Sequence, residues 1–382
     1  MVVLLDMVGF GIVIPILPFI TPRLGGSTFD IALIIATYAF FASVVAPLWG
    51  RLSDRIGRKP VLIICTLGAA GGYLLLGTAG SLATLYLARG VAGIMAGNFP
   101  VASAMMADVT TPADRARGMG LIGAAFGLGM VLGPVLGGLL AGPEGSFTVH
   151  CLVAGVMSLL AVLAAWLFLP ESHHHSASPR GTVREGMWRL LKATRSRLLM
   201  TQFALHTGAI SAITYLFPLW VHARAGWESR EVGIVFGVVG AMMALNQGLL
   251  MGRLVTLLGE LKLLRVCISL LLLGQVLAQF ASGAATMVTA LLLALSGATL
   301  CMPVLGAMTS RVGSTEDRGR LMGAASASAG IGRILGPLLT GALLGVGGFS
   351  LALALPLLMV VLYWCWAFFA ARTGTAAVHG GP

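Results

Sequence analysis

Charge is what this chain has least of. Only 10% of its 382 residues are Asp, Glu, Lys or Arg, against about 25% in a typical soluble domain. By contrast, 58% are hydrophobic, and mean hydropathy is +0.96. A soluble fold of this length has too little interior to hide that much apolar surface, so lipid must solvate much of it. Cysteine pairs are also lacking. Cys65, Cys151, Cys267, Cys301 and Cys365 each fall inside an apolar stretch, and no two share a C-x-x-C spacing. They read as small core residues, without disulfides or metal. There is no Walker phosphate loop, no H-E-x-x-H and no Cys/His cluster at metal spacing. A membrane enzyme or receptor, an ATP-driven pump, and a cofactor or metal centre therefore have no support. The first apolar run carries Asp6 and lacks a basic leader, so no cleavable signal is expected. Asp6 also stands unusually near the start, which leaves room for a few residues upstream.

What is present is a series of apolar runs at 1–21, 31–50, 60–79, 82–106, 118–141, 148–169, 198–220, 232–251, 262–281, 285–309, 321–345 and 349–371. A membrane helix needs about 20 apolar residues, so these predict twelve transmembrane helices. The net charge of +11 could suggest nucleic acid, but the basic residues sit in short loops between the runs. With both termini in the cytoplasm, the cytoplasmic loops and tail carry 19 of the 24 Lys and Arg residues. The opposite loops carry only Arg23, Arg224 and Arg230. That is the positive-inside pattern of a multi-pass protein of a bacterial inner membrane. Its partners are then lipid, a small-molecule substrate and protons rather than nucleic acid, and a monomer is expected.

The longest interruption, 170–197, contains Pro170, Pro179, Gly181 and Gly186 and divides the chain almost equally. It reads as a cytoplasmic linker between an N-terminal six-helix bundle at 1–169 and a C-terminal one at 198–382. His173, His174 and His175 lie in it and read as a solvated loop. A repeat supports the division. Residues 114–134 (DRARGMGLIGAAFGLGMVLGP) align without a gap on 317–337 (DRGRLMGAASASAGIGRILGP). Gly50-Arg51-Leu52 with Gly57 likewise matches Gly252-Arg253-Leu254 with Gly259, and Pro100 matches Pro303. Six helices separate the copies, so the halves are parallel, and a transporter with a central site between them is implied.

Two motifs are specific. Gly50-Arg51-Leu52-Ser53-Asp54-Arg55-Ile56-Gly57-Arg58-Lys59 forms the turn between the second and third helices. Glycine permits a tight reversal, and Asp54 is an acid in a basic turn. Gly129-Met130-Val131-Leu132-Gly133-Pro134-Val135-Leu136-Gly137-Gly138 lies in the fifth helix. Its glycines make a face for close helix contact, and Pro134 bends it.

These segments resemble the major facilitator superfamily: the first its signature loop, the second the antiporter motif of drug:proton exporters. The resemblance implies an all-α membrane fold of two parallel six-helix bundles. It implies a cytoplasmic gate in which Asp54 meets the start of helix 11 and Arg58 meets Asp108, with Gly50, Arg55 and Gly57 shaping the turn. The second copy has Thr256 where Asp54 should be, so a weaker lock is expected there. Gly129, Gly133, Pro134, Gly137 and Gly138 would seal helix 5 against proton leak.

Buried ionisable groups in lipid cost several kcal/mol and usually face a cavity. Asp6 in the first helix is a candidate proton carrier; the alternative is an acid that merely caps the helix mouth. Arg89 in the fourth helix either tunes a nearby acid or snorkels outward, and it matches the arginine that this family links to proton coupling. Their direct pairing is left open. Polar and aromatic candidates for a substrate cavity are Phe10, Asn98, Gln202, His206, Asn246 and Gln247. His206 is the rival proton carrier.

Overall the chain looks most like the tetracycline and multidrug exporters, which implies proton-coupled export by alternating access. Tetracycline exporters carry an acid in helix 3 just before a tyrosine. Here Gly72-Tyr73 stands in that place, which points away from a pump dedicated to tetracycline. The alternative is an exporter of a sugar or other metabolite on the same fold.

Overall fold

A computed structural model describes residues 1–111, 114–140, 147–171, 194–310 and 315–370. Every regular element among the described residues is helical. The long apolar helices are α1 (Val2–Arg23), α2 (Thr28–Ile56), α3 (Arg58–Gly77), α4 (Leu82–Val109), α5 (Gly118–Leu140), α6 (Phe147–Phe168), α7 (Ser196–Ala225), α8 (Ser229–Leu258), α9 (Glu260–Phe280) and α10 (Ala284–Thr309). An eleventh run, Leu321–Phe369, leaves helical geometry at Gly347 and Gly348, where φ reaches +64°. Only glycine adopts that conformation freely, so the run divides into α11 (321–346) and α12 (349–369). The fold is therefore an all-α membrane protein of twelve spans. The linker residues 172–193, with their three histidines, and the tail beyond 370 lie outside the described residues.

Local chemistry sets the helix ends. Ser27 and Asp30 form a reciprocal capping box at the start of α2, with Ser27 Oγ accepting from the Asp30 amide and Asp30 accepting from the Ser27 amide. Ser81 caps α4 through the amide of Thr84. Gly57 takes φ +103° between α2 and α3, and Gly259 takes φ +71° between α8 and α9. The two glycines paired by the sequence repeat thus make equivalent reversals.

The chain forms two compact units. One gathers α1–α6 together with Gly226–Ala244, and the other gathers α7 and the described residues from Leu245 onward. The first is built around Ile12, Ile16, Leu17, Ile34, Leu76, Leu85 and Cys151. The second is built around Leu263, Leu264, Ile268, Cys301, Val304 and Tyr363. Large apolar side chains such as Phe40, Leu48, Trp166, Phe168, Leu273, Phe280 and Leu362 remain exposed. Water would penalise such a surface, whereas a hydrocarbon solvent does not.

Four spans are irregular, among them α12, which widens into a π-turn at Trp366–Ala370. α1 tightens into a 3₁₀ turn at Ile14–Ile16, where Pro15 removes a donor. α4 breaks between Ile94 and Asn98. α8 widens into a π-turn at Asn246–Leu250.

Candidate functional site

The break in α4 places Asn98 at the first position of the helix's second half. From there its Nδ2 donates to Asp6 Oδ1 at 2.9 Å. Asn98 Oδ1 accepts from Thr66 Oγ at 3.3 Å, and Thr66 also donates to Leu62 O at 2.7 Å. Asp6, Asn98 and Thr66 are all buried, and Asp6 is the only buried acid among the described residues. A buried carboxylate that receives a donor is far less costly than a bare one.

Arg89 is buried as well, yet it forms no ion pair with Asp6. Its guanidinium lies 4.5 Å from the centroid of the Tyr38 ring, a cation–π contact. Phe10 stacks obliquely on the same Tyr38, with centroids 5.4 Å apart. Arg89 Nε has no hydrogen-bond partner among the described residues. Tyr73, also buried, lies within electrostatic range of both Asp6 and Arg89. Phe10 and Arg89 thus meet on one Tyr38 ring, and the guanidinium retains an unused donor at Nε. Gly72 faces α4. A Cβ there would meet Ala92 Cβ at 3.4 Å and Ala88 O at 3.5 Å.

In the other unit, Gln202 and His206 stand one turn apart on α7, and both are buried. Gln202 Oε1 and both ring nitrogens of His206 lack hydrogen-bond partners among the described residues. The His206 ring meets Tyr363 of α12 edge-on at 5.6 Å. Asn246, in the π-turn of α8, directs Nδ2 at Ser296 O, Ser296 Oγ and Thr299 Oγ of α10, at 3.1–3.3 Å. Gln247 donates to Thr299 O at 3.3 Å but is exposed.

The turn between α2 and α3 converges on Arg58. Its Nη1 lies 2.6 Å from Asp54 Oδ1 and donates to Ser53 Oγ, and its Nε donates to Asp108 Oδ2 at 3.0 Å. Asp54 is more than half exposed, whereas Arg58 is largely covered. Arg55 is exposed and stands outside this cluster, and Gly50 faces open space.

α5 is gripped on two sides, and both contacts lie within the first unit. Gly129, Gly133 and Gly137 face α1. A Cβ on Gly133 would lie 2.6 Å from Gly11 Cα and 2.7 Å from Val8 O, and one on Gly137 would lie 2.8 Å from Ile12 O. The Pro134 ring also faces α1 at Gly11, whereas its carbonyl and Gly138 face the first half of α8. A Cβ on Gly233 would lie 2.6 Å from Gly138 Cα and 2.7 Å from Pro134 O, and one on Gly240 would lie 2.7 Å from Met130 O. The sequence reading missed Gly233, Gly237 and Gly240, although their G-x-x-x-G-x-x-G spacing was a signal for this contact. It also missed Thr66 and Tyr38, which carry no motif.

Comparison with known proteins adds the following. The family model described as Major Facilitator Superfamily matches residues 1–250 and 247–381. The class C tetracycline resistance protein of Escherichia coli is 34% identical over 351 residues, which cover 89% of this chain and 87% of that protein. Multidrug resistance protein 2 of Bacillus subtilis is 27% identical over 372 residues, covering 92% and 91%. Among solved structures, the human organic anion transporter MFSD10 is 24% identical with a TM-score of 0.73, covering 96% of this chain and 97% of that one. A bacterial homologue of the human lysosomal transporter Spinster reaches a TM-score of 0.81 at 16% identity, covering 97% and 95%.

Proposed function

Since the chain belongs to the Major Facilitator Superfamily, we propose that it is a proton-coupled exporter of drugs or other small amphipathic molecules in a bacterial inner membrane. The names of its relatives, tetracycline and multidrug resistance proteins, support drugs as the substrate class. The charge distribution supports cytoplasmic termini, and the protein acts as a monomeric carrier rather than an enzyme. Gly72 packs against α4 where tetracycline exporters carry an acid, which favours a broader or different drug range than tetracycline alone.

The observation that carries the coupling is the buried Asp6 carboxyl group held by Asn98. An antiporter needs a group that takes a proton from one side and yields it to the other as substrate binds. Asp6 is titratable and sheltered, and Tyr73 lies within electrostatic range of both it and Arg89, so a substrate that engages the unused Arg89 donor can act on the acid through Tyr73. Phe10 supplies an apolar and aromatic wall. Within the second unit, Gln202 and His206 offer further unsatisfied polar atoms, and Asn246 and Gln247 are its other polar candidates for substrate contact. The Asp54–Arg58–Asp108 cluster acts as a cytoplasmic gate that biases one end state. The glycine contacts of α5 keep a proton path from opening beside it.

The test is Asp6→Asn in inverted vesicles. Proton-driven export should vanish while some substrate binding remains, and substrate binding to the purified protein should release fewer protons than in the wild type. Full-rate export against a gradient by Asp6→Asn would transfer the proton role to His206. A susceptibility panel across chemically diverse drugs identifies the substrate class. If drugs have no effect and an exported metabolite does, the sugar or metabolite reading takes its place.

A further inference from the structure

The acid of α1 and the broken span α4 meet at a single amide. The Asn98 amide is the only side-chain donor on Asp6 among the described residues. Its other end faces Thr66, whose single hydroxyl hydrogen is shared between Leu62 O at 2.7 Å and Asn98 Oδ1 at 3.3 Å. One hydroxyl has one hydrogen and so cannot serve two acceptors fully. Turning the amide by 180° about its last torsion gives a second arrangement. Nδ2 then donates to Thr66 Oγ, the Thr66 hydrogen goes wholly to Leu62 O, and Oδ1 faces Asp6. This arrangement is satisfied only if Asp6 carries a proton to donate into Oδ1. The observed one is satisfied only if the facing oxygen of Asp6 accepts.

We propose that Asn98 is a positioning residue for proton exchange, its amide turning over with the protonation state of Asp6. This rests on the reading of Asp6 as the proton carrier. The ionised acid accepts only the observed orientation, whereas the protonated acid can also donate into the turned one, and each orientation makes a different bond to Thr66 of α3. The proton is thereby reported to two helices at once, at the point where α4 has no continuous backbone ladder. Tyr73 and Cys65 of α3 lie within electrostatic range of the carboxyl group. Arg89 lies over the Tyr38 ring, within electrostatic range of Tyr73. On α6, which also packs on α1, His150 is bonded to Gly137 O and Cys151 faces Arg89. None of these groups donates to Asp6.

Two substitutions should act in opposite directions. Asn98→Leu removes the donor that favours the ionised acid together with the weaker acceptor that serves the protonated one. The difference should move the alkaline limb of the pH profile of export up by about one pH unit. Thr66→Val removes a full bond from the turned arrangement but only a shared one from the observed arrangement. Its limb should move down by a smaller amount. General damage to packing would not give shifts of opposite sign. Should either variant fail to reach the membrane, infrared difference spectra of the wild-type protein with isotope-labelled asparagine decide the matter. An Asn carbonyl band should change in step with the carboxyl band as pH is varied. If Asp6→Asn abolishes coupling while both limbs stay in place, or the Asn band is silent, the amide switch is overturned and the proton carrier stands. If Asp6→Asn exports at the full rate, both fall together.

Discussion

Arg58 holds three oxygens at once, and that concentration makes it more consequential than Asp54, which it also serves. Asp54 is more than half exposed, and an exposed pair contributes about 0.2–1 kcal/mol. Asp54→Asn should therefore lower turnover about two- to fivefold, with membrane yield unchanged, in initial-rate measurements on vesicles. Arg58→Ala leaves Asp108 and Ser53 without their donor and should lower turnover further. Equal rates for the two variants would show that the Arg58 bonds to Asp108 and Ser53 add nothing to turnover. Arg89→Lys keeps a charge but loses the planar contact with Tyr38, and it should weaken substrate binding more than it lowers expression, as titration of the purified protein would show. Asp6 and Arg89 were legible as charges inside apolar runs. Their separation was not, because Asp6 is satisfied by Asn98, 92 positions away, and Arg89 by an aromatic ring. Neither contact leaves a mark in local spacing.

At the scale of single helices, hydropathy located the centre of each span but not its ends. α2 continues to Ile56, past the apolar limit at residue 50, because a helix propagates through polar residues until Gly57 reverses the chain. The boundary between α11 and α12 was readable from the Gly347-Gly348 pair. The π-turn of α8 was not, since its cause is tertiary: Asn246 reaches across to Ser296 and Thr299. Asn246→Ala should lower stability by about 1–3 kcal/mol, read as a fall in the melting temperature of the purified protein. Gln247→Ala, which removes one exposed bond, should be nearly silent. If Asn246→Ala melts like the wild type but loses substrate, the residue faces the ligand rather than α10.

At the scale of the whole molecule, the two halves share a pattern but not a sign. In the repeat register Glu260 stands where Arg58 stands, and Arg311, outside the described residues, stands where Asp108 stands. Thr256 in place of Asp54 then has a physical reason, because an acid one turn before Glu260 would repel it. Arg58→Glu with Asp108→Arg should therefore transport poorly, and adding Asp54→Thr should restore much of the rate. A triple variant no better than the double would remove that explanation. The double winding of α5, against α1 and against the first half of α8, also has a genetic consequence. Every single-base change in a glycine codon that replaces the residue adds at least a Cβ, and at Gly133, Gly233 and Gly240 that atom has nowhere to go. These codons can only lose, whereas those of Gly71, Gly120, Gly123 and Gly127, which face open space, can drift. In a randomly mutagenised gene selected for retained export, the first set should stay blank while the second fills with substitutions.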